Sequence, residues 1–329
     1  MNRLSLSLAL PDYDHVRDLV SGRVRAEGLQ LTCLTLPVEE IFYRFLVHRE
    51  FDLAELSFAK YAALRAGGDD SLIALPVFPS RVFRHGSLFV RKDGPVRKIA
   101  DLSGRRVGLP EWAQTAAVYS RGFLQHQYGI DLTSIQWVQA GTNQPGRVEK
   151  VDLKLPPGIR IERVGDRSLN EMLLTGDLDA VLSARPPDAF TAGDPRITRF
   201  FEDFQKVETD YYKATGIFPI MHTVAVRRDL LEKNPWLARS LTVAFDEAKR
   251  RSLERAFDAT VSMFPIPWSF EYARRGKALF GEDYFPYGIE PNRRTLDAFL
   301  GYAHEQGVCK RRLTVEDLFP KQMLSSYKV

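Results

Sequence analysis

Two short segments of the sequence share one pattern, and that pattern constrains the fold more than any other feature. Residues 51–57 are Phe-Asp-Leu-Ala-Glu-Leu-Ser, and residues 178–183 are Leu-Asp-Ala-Val-Leu-Ser. Each has an aspartate, an apolar run of strand length and a final serine, and each follows a helical pattern and a turn. We interpret them as equivalent strands of two similar lobes rather than as units of a solenoid.

The length of the chain agrees with two lobes. It has 329 residues, whereas a domain usually has about 100–200 residues. We predict a discontinuous first lobe of residues 1–97 and 204–329, and a second lobe of residues 98–203. A second series of strands and helices begins at Gly104, and a strand predicted over 220–226 returns the chain to the first lobe. Two such cores meet at a cleft.

Composition and charge limit the classes of function. Hydrophobic residues at 44% and charged residues at 27% are typical of a globular protein and exclude disorder. The net charge is +4 and the basic residues are scattered, which favours an acidic small molecule over nucleic acid as the partner. No apolar run approaches the roughly 20 residues that cross a bilayer. The number of copies in the assembly stays open, a homo-oligomer included.

The cysteines and the first residues bear on location. Cys33 and Cys309 are the two cysteines of the sequence, and they provide neither a disulfide framework nor a CxxC pair. Leu4, Leu6 and Leu8 alternate with polar residues as in a strand, where an export signal would have a continuous apolar core. We therefore predict a cytoplasmic protein.

Four strings, taken in order, resemble one known family over nearly the whole chain. They lie at residues 78–85 (Phe-Pro-Ser-Arg-Val-Phe-Arg-His), 104–117 (Gly-Arg-Arg-Val-Gly-Leu-Pro-Glu-Trp, then Thr-Ala-Ala from 115), 215–223 (Thr-Gly-Ile-Phe-Pro-Ile-Met-His-Thr) and 287–293 (Tyr-Gly-Ile-Glu-Pro-Asn-Arg). Together they resemble the 4,5-dihydroxyphthalate decarboxylase family. The resemblance implies an α/β, two-lobed, type II periplasmic-binding-protein-like fold, in which each lobe is a mixed sheet flanked by helices. It also implies a carboxy-lyase that converts 4,5-dihydroxyphthalate to protocatechuate and CO2 without oxidation.

An aromatic diacid needs positive charge and oriented N–H donors. Arginine side chains match a carboxylate in two-point contact, and serine or threonine at a strand-to-helix junction marks a helix N-terminus that can face an anion. Each arginine could equally form a surface ion pair, and each aromatic residue could belong to the core. The predicted substrate-binding residues are Ser57, Arg81, Arg84, Trp112, Thr115, Arg185, Phe218, Tyr287 and Asn292. We expect Ser57, Arg81 and Arg84 on one wall of the cleft, and Thr115 and Arg185 on the other.

Loss of CO2 from an aromatic ring leaves electron density on the ring carbon. The expected route protonates that carbon first, while the para hydroxyl stabilises the intermediate. His85 and His222 are the candidate acids because histidine titrates closest to neutral pH. Which of them donates stays open, and either could be structural. Glu111, predicted in the first turn of a helix, is a candidate base for the phenol or a carboxylate that complements the helix dipole.

Several alternatives remain at this point. No cofactor is predicted, although both histidines with Glu111 or Glu290 could hold a divalent metal. Lys60 is interpreted as a helix-surface residue. The alternatives to this enzyme are a non-catalytic binding protein for an aromatic acid, either a sensor or a transporter component, and a different enzyme on the same scaffold. The exact ring substitution of the substrate stays open.

Overall fold

The computed structural model describes residues 3–324, which form two mixed β-sheets with helices on their faces. The strands are β1 (Leu4–Leu10), β2 (Leu29–Thr35), β3 (Leu53–Ser57), β4 (Leu72–Arg81), β5 (Leu88–Arg91), β6 (Arg106–Leu109), β7 (Gln136–Gln139), β8 (Ile161–Arg163), β9 (Ala180–Leu182), β10 (Ile197–Arg199) and β11 (Ile220–Arg227). The helices are α1 (Arg17–Val20), α2 (Val38–His48), α3 (Phe58–Gly67), α4 (Thr115–His126), α5 (Leu169–Thr175), α6 (Asp188–Thr191), α7 (Phe204–Thr215), α8 (Arg228–Lys233), α9 (Leu237–Ala256), α10 (Ser269–Phe280) and α11 (Arg293–Glu305).

The first sheet has the strand order β2-β1-β3-β11-β4, and the second has the order β10-β5-β9-β6-β7-β8. In the first sheet β1 pairs in parallel with β2 and β3, while β11 is antiparallel to both of its neighbours. In the second, β6 pairs in parallel with β7 and β9, and β5 is antiparallel to its neighbours. The predicted fold class of two mixed sheets flanked by helices is therefore confirmed.

The two segments that share the aspartate-to-serine pattern form β3 and β9, one in each sheet. Strand β11 joins the first sheet, although it follows the whole of the second sheet in sequence. Strand β5, which the predicted boundary at residue 97 assigns to the first lobe, pairs with β9 and β10 of the second sheet. The assignment of β5 to the first lobe is therefore wrong. Antiparallel pairing can place a strand in a sheet regardless of its position in the chain, and here it places β5 in the second sheet. The other lobe bounds stay a prediction.

Several helices begin or end at residues whose type is typical of a helix cap. Ser168 accepts a hydrogen bond from the backbone N–H of Glu171, whose side chain accepts from Ser168 in return, and this capping box starts α5. Gly176 ends the same helix at φ 84°, in the left-handed conformation that glycine adopts without strain. Asp203 caps α7 through the backbone N–H of Lys206. Within residues 3–324, no helix is both long and apolar enough to cross a membrane.

The predicted helix after Pro110 begins later than expected. It starts at Thr115 as α4, so that Glu111 lies in the loop between β6 and α4 and not in a first helical turn. The loop is held by its own buried side chains: Trp112 donates its indole N–H to the carbonyl of Gln306 over 2.7 Å. The interpretation of Glu111 as a carboxylate that complements a helix dipole is therefore wrong.

Helices α4 and α11 approach closely at Gly122, and this contact yields a stability test. A Cβ atom at Gly122 would lie 2.5 Å from the Tyr302 ring, whereas one at Gly301, also within a helix, would meet no atom within 4 Å. We expect Gly122→Ala to lower the free energy of unfolding by about 1–3 kcal/mol through overpacking. Gly301→Ala should raise it by about 0.5–1 kcal/mol through helix propensity. Urea unfolding measures both; equal stability of the two variants would contradict the described packing.

Candidate active site

The carboxyl ends of the parallel strands of both sheets face one cleft, and polar contacts cross it. The hydroxyl oxygens of Ser57, at the end of β3, and Thr115, at the start of α4, lie 3.0 Å apart. Thr115 Oγ1 also accepts the backbone N–H of Ala59 over 3.0 Å. Lys60 Nζ lies 2.8 Å from Glu111 Oε2, and both side chains are almost completely buried. Ser57 and Thr115, predicted on opposite walls, are therefore in contact with each other.

A cavity of about 460 Å³ opens beside these contacts, within the size range of small-molecule sites. Its lining comes mainly from the segments that follow β6, β7 and β9, which is where α/β sheets bind ligands. The lining residues include Glu39, Gln114, Thr142, Asn143, Arg147, Lys150, Ser183 and Arg185. Arg185 Nη2 and Glu39 Oε1 form an ion pair of 2.8 Å at the rim, where the Arg185 side chain is 69% exposed. The lining carries more positive than negative charge.

Glu111 anchors the positive charge at this cavity. Arg147 Nη2 lies 2.6 Å and Lys150 Nζ 4.0 Å from Glu111 Oε1, in addition to the Lys60 contact. Burial alone would raise the pKa of Glu111, but the charges of Lys60 and Arg147 outweigh burial and hold that pKa below its ordinary value. Glu111 is therefore an ionised anchor, and this placement does not favour its predicted role as a base.

The surroundings of Lys150 disfavour its charged form. Burial and the neighbouring charge of Lys60 lower the pKa of Lys150. An anion in the cavity would relieve both effects, because it would stabilise the charged ammonium. The site is therefore electrostatically suited to a carboxylate.

His222 lies on β11 opposite Ser57, whose hydroxyl contacts Thr115 across the cleft, and it is outside the lining of the cavity. Its Nδ1 is 2.5 Å from Glu55 Oε1, its side chain is 20% exposed, and Phe42 contacts its ring edge-on at 5.0 Å. Phe42 lies on α2 one turn after Glu39, which lines the cavity. Among the residues that the structure describes, His222 Nε2 has no hydrogen-bond partner, and it is not sealed from solvent.

His85 lies elsewhere, in an aromatic cage. Its ring stacks on Phe123 at 4.1 Å and contacts Tyr211 at 5.0 Å, and Nε2 is 2.9 Å from Gln127 Oε1. Phe123 is eight residues after Thr115 along α4, so about 12 Å of helix separates it from the cleft. Burial lowers the pKa of His85, although the hydrogen bond that its ring donates to Gln127 Oε1 acts in the opposite sense. The structure thus does not bring the two predicted histidines together.

The other predicted arginines are used in different ways. Arg81 donates to the carbonyls of Phe218 (3.1 Å) and Pro286 (2.7 Å) and to Asn292 Oδ1, so both Arg81 and Asn292 are engaged in holding the loop before α11. Arg84 directs its Nε at the sulfur of Met221, 3.2 Å away. Arg185 is the predicted substrate-binding residue that lines the cavity.

The predicted aromatic residues lie mainly in packed regions. Trp112 is completely buried under the guanidinium of Arg121, 3.7 Å from the ring centre. Phe218 stacks on Phe83 at 5.0 Å. Tyr287 is buried, and its hydroxyl has no hydrogen-bond partner within residues 3–324. None of the three lines the cavity described above.

The sequence interpretation missed four residues of this region: Lys60, Glu55, Arg147 and Lys150. Lys60 was expected on a helix surface, but it is buried against Glu111. For Glu55 a signal was present, since an acidic residue inside an apolar strand seldom lies in a core without a partner. Arg147 and Lys150 lie in a loop rich in glycine and proline, and no periodicity there predicts which way a side chain points.

No group of three or more His, Cys, Asp or Glu side chains is close enough to hold a metal ion in the described part of the chain. Glu290, one of the carboxylates considered for a metal, pairs with Arg293 at 2.8 Å.

The fold belongs to the periplasmic-binding-protein class. The periplasmic aliphatic sulphonate binding protein SsuA from Escherichia coli superposes with a TM-score of 0.57 at 14% identity, covering 97% of this chain and 98% of that one. In sequence, a 4,5-dihydroxyphthalate decarboxylase from Comamonas testosteroni is 38% identical over 330 residues, the full length of both chains. Another of that name from Pseudomonas putida is 40% identical over 215 residues, 65% of this chain and 83% of that protein. The chain belongs to the 4,5-dihydroxyphthalate decarboxylase family. No protein-family model matches it.

The buried state of His85 predicts a pH dependence of stability. Because the folded pKa lies below the ordinary value of about 6.5, the unfolded chain binds a proton here that the folded chain does not. The contribution of neutral His85 to the free energy of unfolding is therefore fully present above about pH 6.5 and is lost as the pH falls below that value. We expect the stability advantage of the wild type over His85→Asn to be smaller at pH 5.5 than at pH 8 in urea unfolding. An advantage that grows on acidification would contradict the assignment.

Proposed function

We propose that this protein is a carboxy-lyase that converts 4,5-dihydroxyphthalate to protocatechuate and CO2 in the cavity between the two sheets. One observation carries the proposal: the cavity lies at the carboxyl ends of the strands and has an excess of positive charge from Arg147, Lys150 and Arg185. Membership of the decarboxylase family supports the same substrate class.

The carboxylate that is retained binds at the Glu111 end of the cavity. Arg147 and Lys150 are each about one-third exposed there, so both can reach a ligand while Glu111 holds them in place. The N-terminus of α4 adds oriented donors, since Gln114 makes no side-chain cap and lines the cavity. Such a site fixes the ring by one acid group and leaves the other to react.

His222 supplies the proton. Its imidazolium Nε2 gives a proton to the ring carbon that carries the leaving carboxylate, and electron density from the para hydroxyl supports the new C–H bond. The bond to the carboxylate then breaks, its electron pair returns to the ring, and CO2 leaves. Solvent restores the proton on His222. The position of His222 at the cleft, compared with the caged His85, supports this choice.

Cofactor use, location and assembly remain proposals alongside the reaction. We propose decarboxylation without a bound cofactor, in the cytoplasm, where the two free cysteines Cys33 and Cys309 are expected to stay reduced. A homo-oligomer remains an open expectation.

The direct test incubates the purified protein with 4,5-dihydroxyphthalate, with and without a chelator, and follows CO2 and protocatechuate. We expect equal amounts of both products, at a rate that the chelator leaves unchanged. Loss of activity with chelator, restored by a divalent ion, would replace the cofactor-free proposal with a metal-dependent one. A ligand-induced rise in melting temperature without CO2 release would favour the binding-protein alternative.

The anion site predicts a specific defect in binding. Lys150→Met removes a cation from the cavity, and we expect KM to rise about 10-fold or more with a smaller change in kcat, as for loss of a charged hydrogen bond. Lys310→Met is the matched control, because Lys310 pairs with Asp152 close by on the surface and does not line the cavity. An unchanged KM in Lys150→Met would place the retained carboxylate elsewhere.

A further inference from the structure

Glu55 is a completely buried carboxylate in the middle of an apolar strand. It lies on β3 between β1 and β11, with its side chain on the same strand face as Ser57. Burial of a carboxylate without a compensating partner is costly. The position therefore calls for a partner that offsets the charge.

The two partners of Glu55 are a phenol and an imidazole. Tyr13 donates its hydroxyl to Glu55 Oε1 over 2.9 Å, and His222 Nδ1 lies 2.5 Å from the same oxygen. In the described part of the chain, no lysine or arginine nitrogen is within ion-pair distance of Glu55. The side chains that contact Glu55 are thus a phenol and an imidazole, and neither is a permanent cation.

A second buried carboxylate shows the contrast. Asp18 is almost as deeply buried, but it pairs with Arg255 at 2.7 Å and with Arg23 at 3.7 Å. Permanent cations suit a structural carboxylate, since their charge does not depend on pH near neutrality. A titrating partner makes the interaction of Glu55 depend on pH.

The other titratable groups around Glu55 do not replace His222. Burial and then the charge of Glu55 raise the pKa of Tyr13, so that its hydroxyl stays protonated and donates. Burial raises the pKa of Tyr287 and lowers that of His15, which stacks on Tyr13 at 5.0 Å. Lys249, 4.8 Å from the centre of the Tyr287 ring, is bound to Asp246 and Asp283.

We propose that Glu55, supported by Tyr13, is a positioning residue that holds the proton on His222 Nδ1 and thereby sets the pH range over which His222 delivers a proton to the substrate. This inference rests on the proposed decarboxylation. The nitrogen that bonds the carboxylate fixes the role of the other one. Nδ1–H donates to Glu55, and Nε2, on the accessible side of the ring, carries the proton that moves.

The test compares pH–rate profiles of kcat and KM from pH 5 to 9. Glu55→Gln keeps the shape of the side chain and removes its charge, so we expect the alkaline limb of kcat to move to lower pH by about one unit or more, with KM at acid pH within about threefold of the wild type. Tyr13→Phe keeps the carboxylate and removes a neutral donor to it, so the limb should stay in place or move to higher pH, and not to lower pH. His222→Asn should lose about 10²–10⁴ in kcat while still binding substrate, whereas His85→Asn should remain active.

Asp18→Asn is the matched control, because it also removes a buried carboxylate. It should lower the melting temperature without moving the limb. If Glu55→Gln does not fold, Glu55→Asp takes its place: it retains the charge, so its limb should stay at the wild-type pH even where kcat falls. A Glu55→Gln profile that superimposes on the wild type, or a Glu55→Asp limb displaced to lower pH, would overturn the inference.

A readout without turnover separates this inference from the proposed reaction. Titration of His222 by NMR in wild type and in Glu55→Gln, or in Tyr13→Phe if the former does not fold, reports the pairing directly. A midpoint that falls by about one unit in Glu55→Gln, or that stays in place or rises in Tyr13→Phe, supports the pairing even if the wild type releases no CO2. An unchanged Glu55→Gln midpoint, or a Tyr13→Phe midpoint lowered by a unit, would overturn it even in an active enzyme.

Discussion

Lys60 and Glu111 form an ion pair, shielded from water, between the helix after β3 and the loop after β6. Removing Glu111 would leave Lys60 as an uncompensated charge in the interior, which typically costs about 3–5 kcal/mol. The same carboxylate holds Arg147 and Lys150, and through them the loop that follows β7. The closeness of the two sheet edges and the charge of the cavity wall therefore depend on a single buried group.

The cleft separates two kinds of chemistry. At the Glu111 end the cations are held in place and can fix an acid group of the substrate. At the His222 end the buried carboxylate of Glu55 contacts an imidazole and a phenol. The Ser57–Thr115 contact lies beside both. The two hydroxyls form a hydrogen bond with each other, and Thr115 also accepts the backbone N–H of Ala59, so these residues join the two sheets. A ring with one carboxylate to retain and one to lose needs two such ends.

Much of the fold could be predicted from the sequence, because strand content and helix caps are local properties. The paired pattern located β3 and β9, and the return of the chain through β11 was predicted from its apolar run. The site was predicted less well. The sequence strings that resemble the family contain residues of the core as well as of the cleft. His85 and Trp112 therefore fitted the resemblance as well as His222 did. Local sequence also gave no reason to bury Lys60, since its partner Glu111 lies 51 positions away.

The two buried glutamates show why residue type alone does not define a role. Glu111 is surrounded by three cations, and the attraction of those charges lowers its pKa and keeps it ionised. Glu55 contacts a phenol and an imidazole and no lysine or arginine within the described residues. A carboxylate with permanent cations stabilises structure at every pH near neutrality, whereas one with a titrating partner couples structure to proton transfer. Its partners, more than its burial, decide which role a buried carboxylate has.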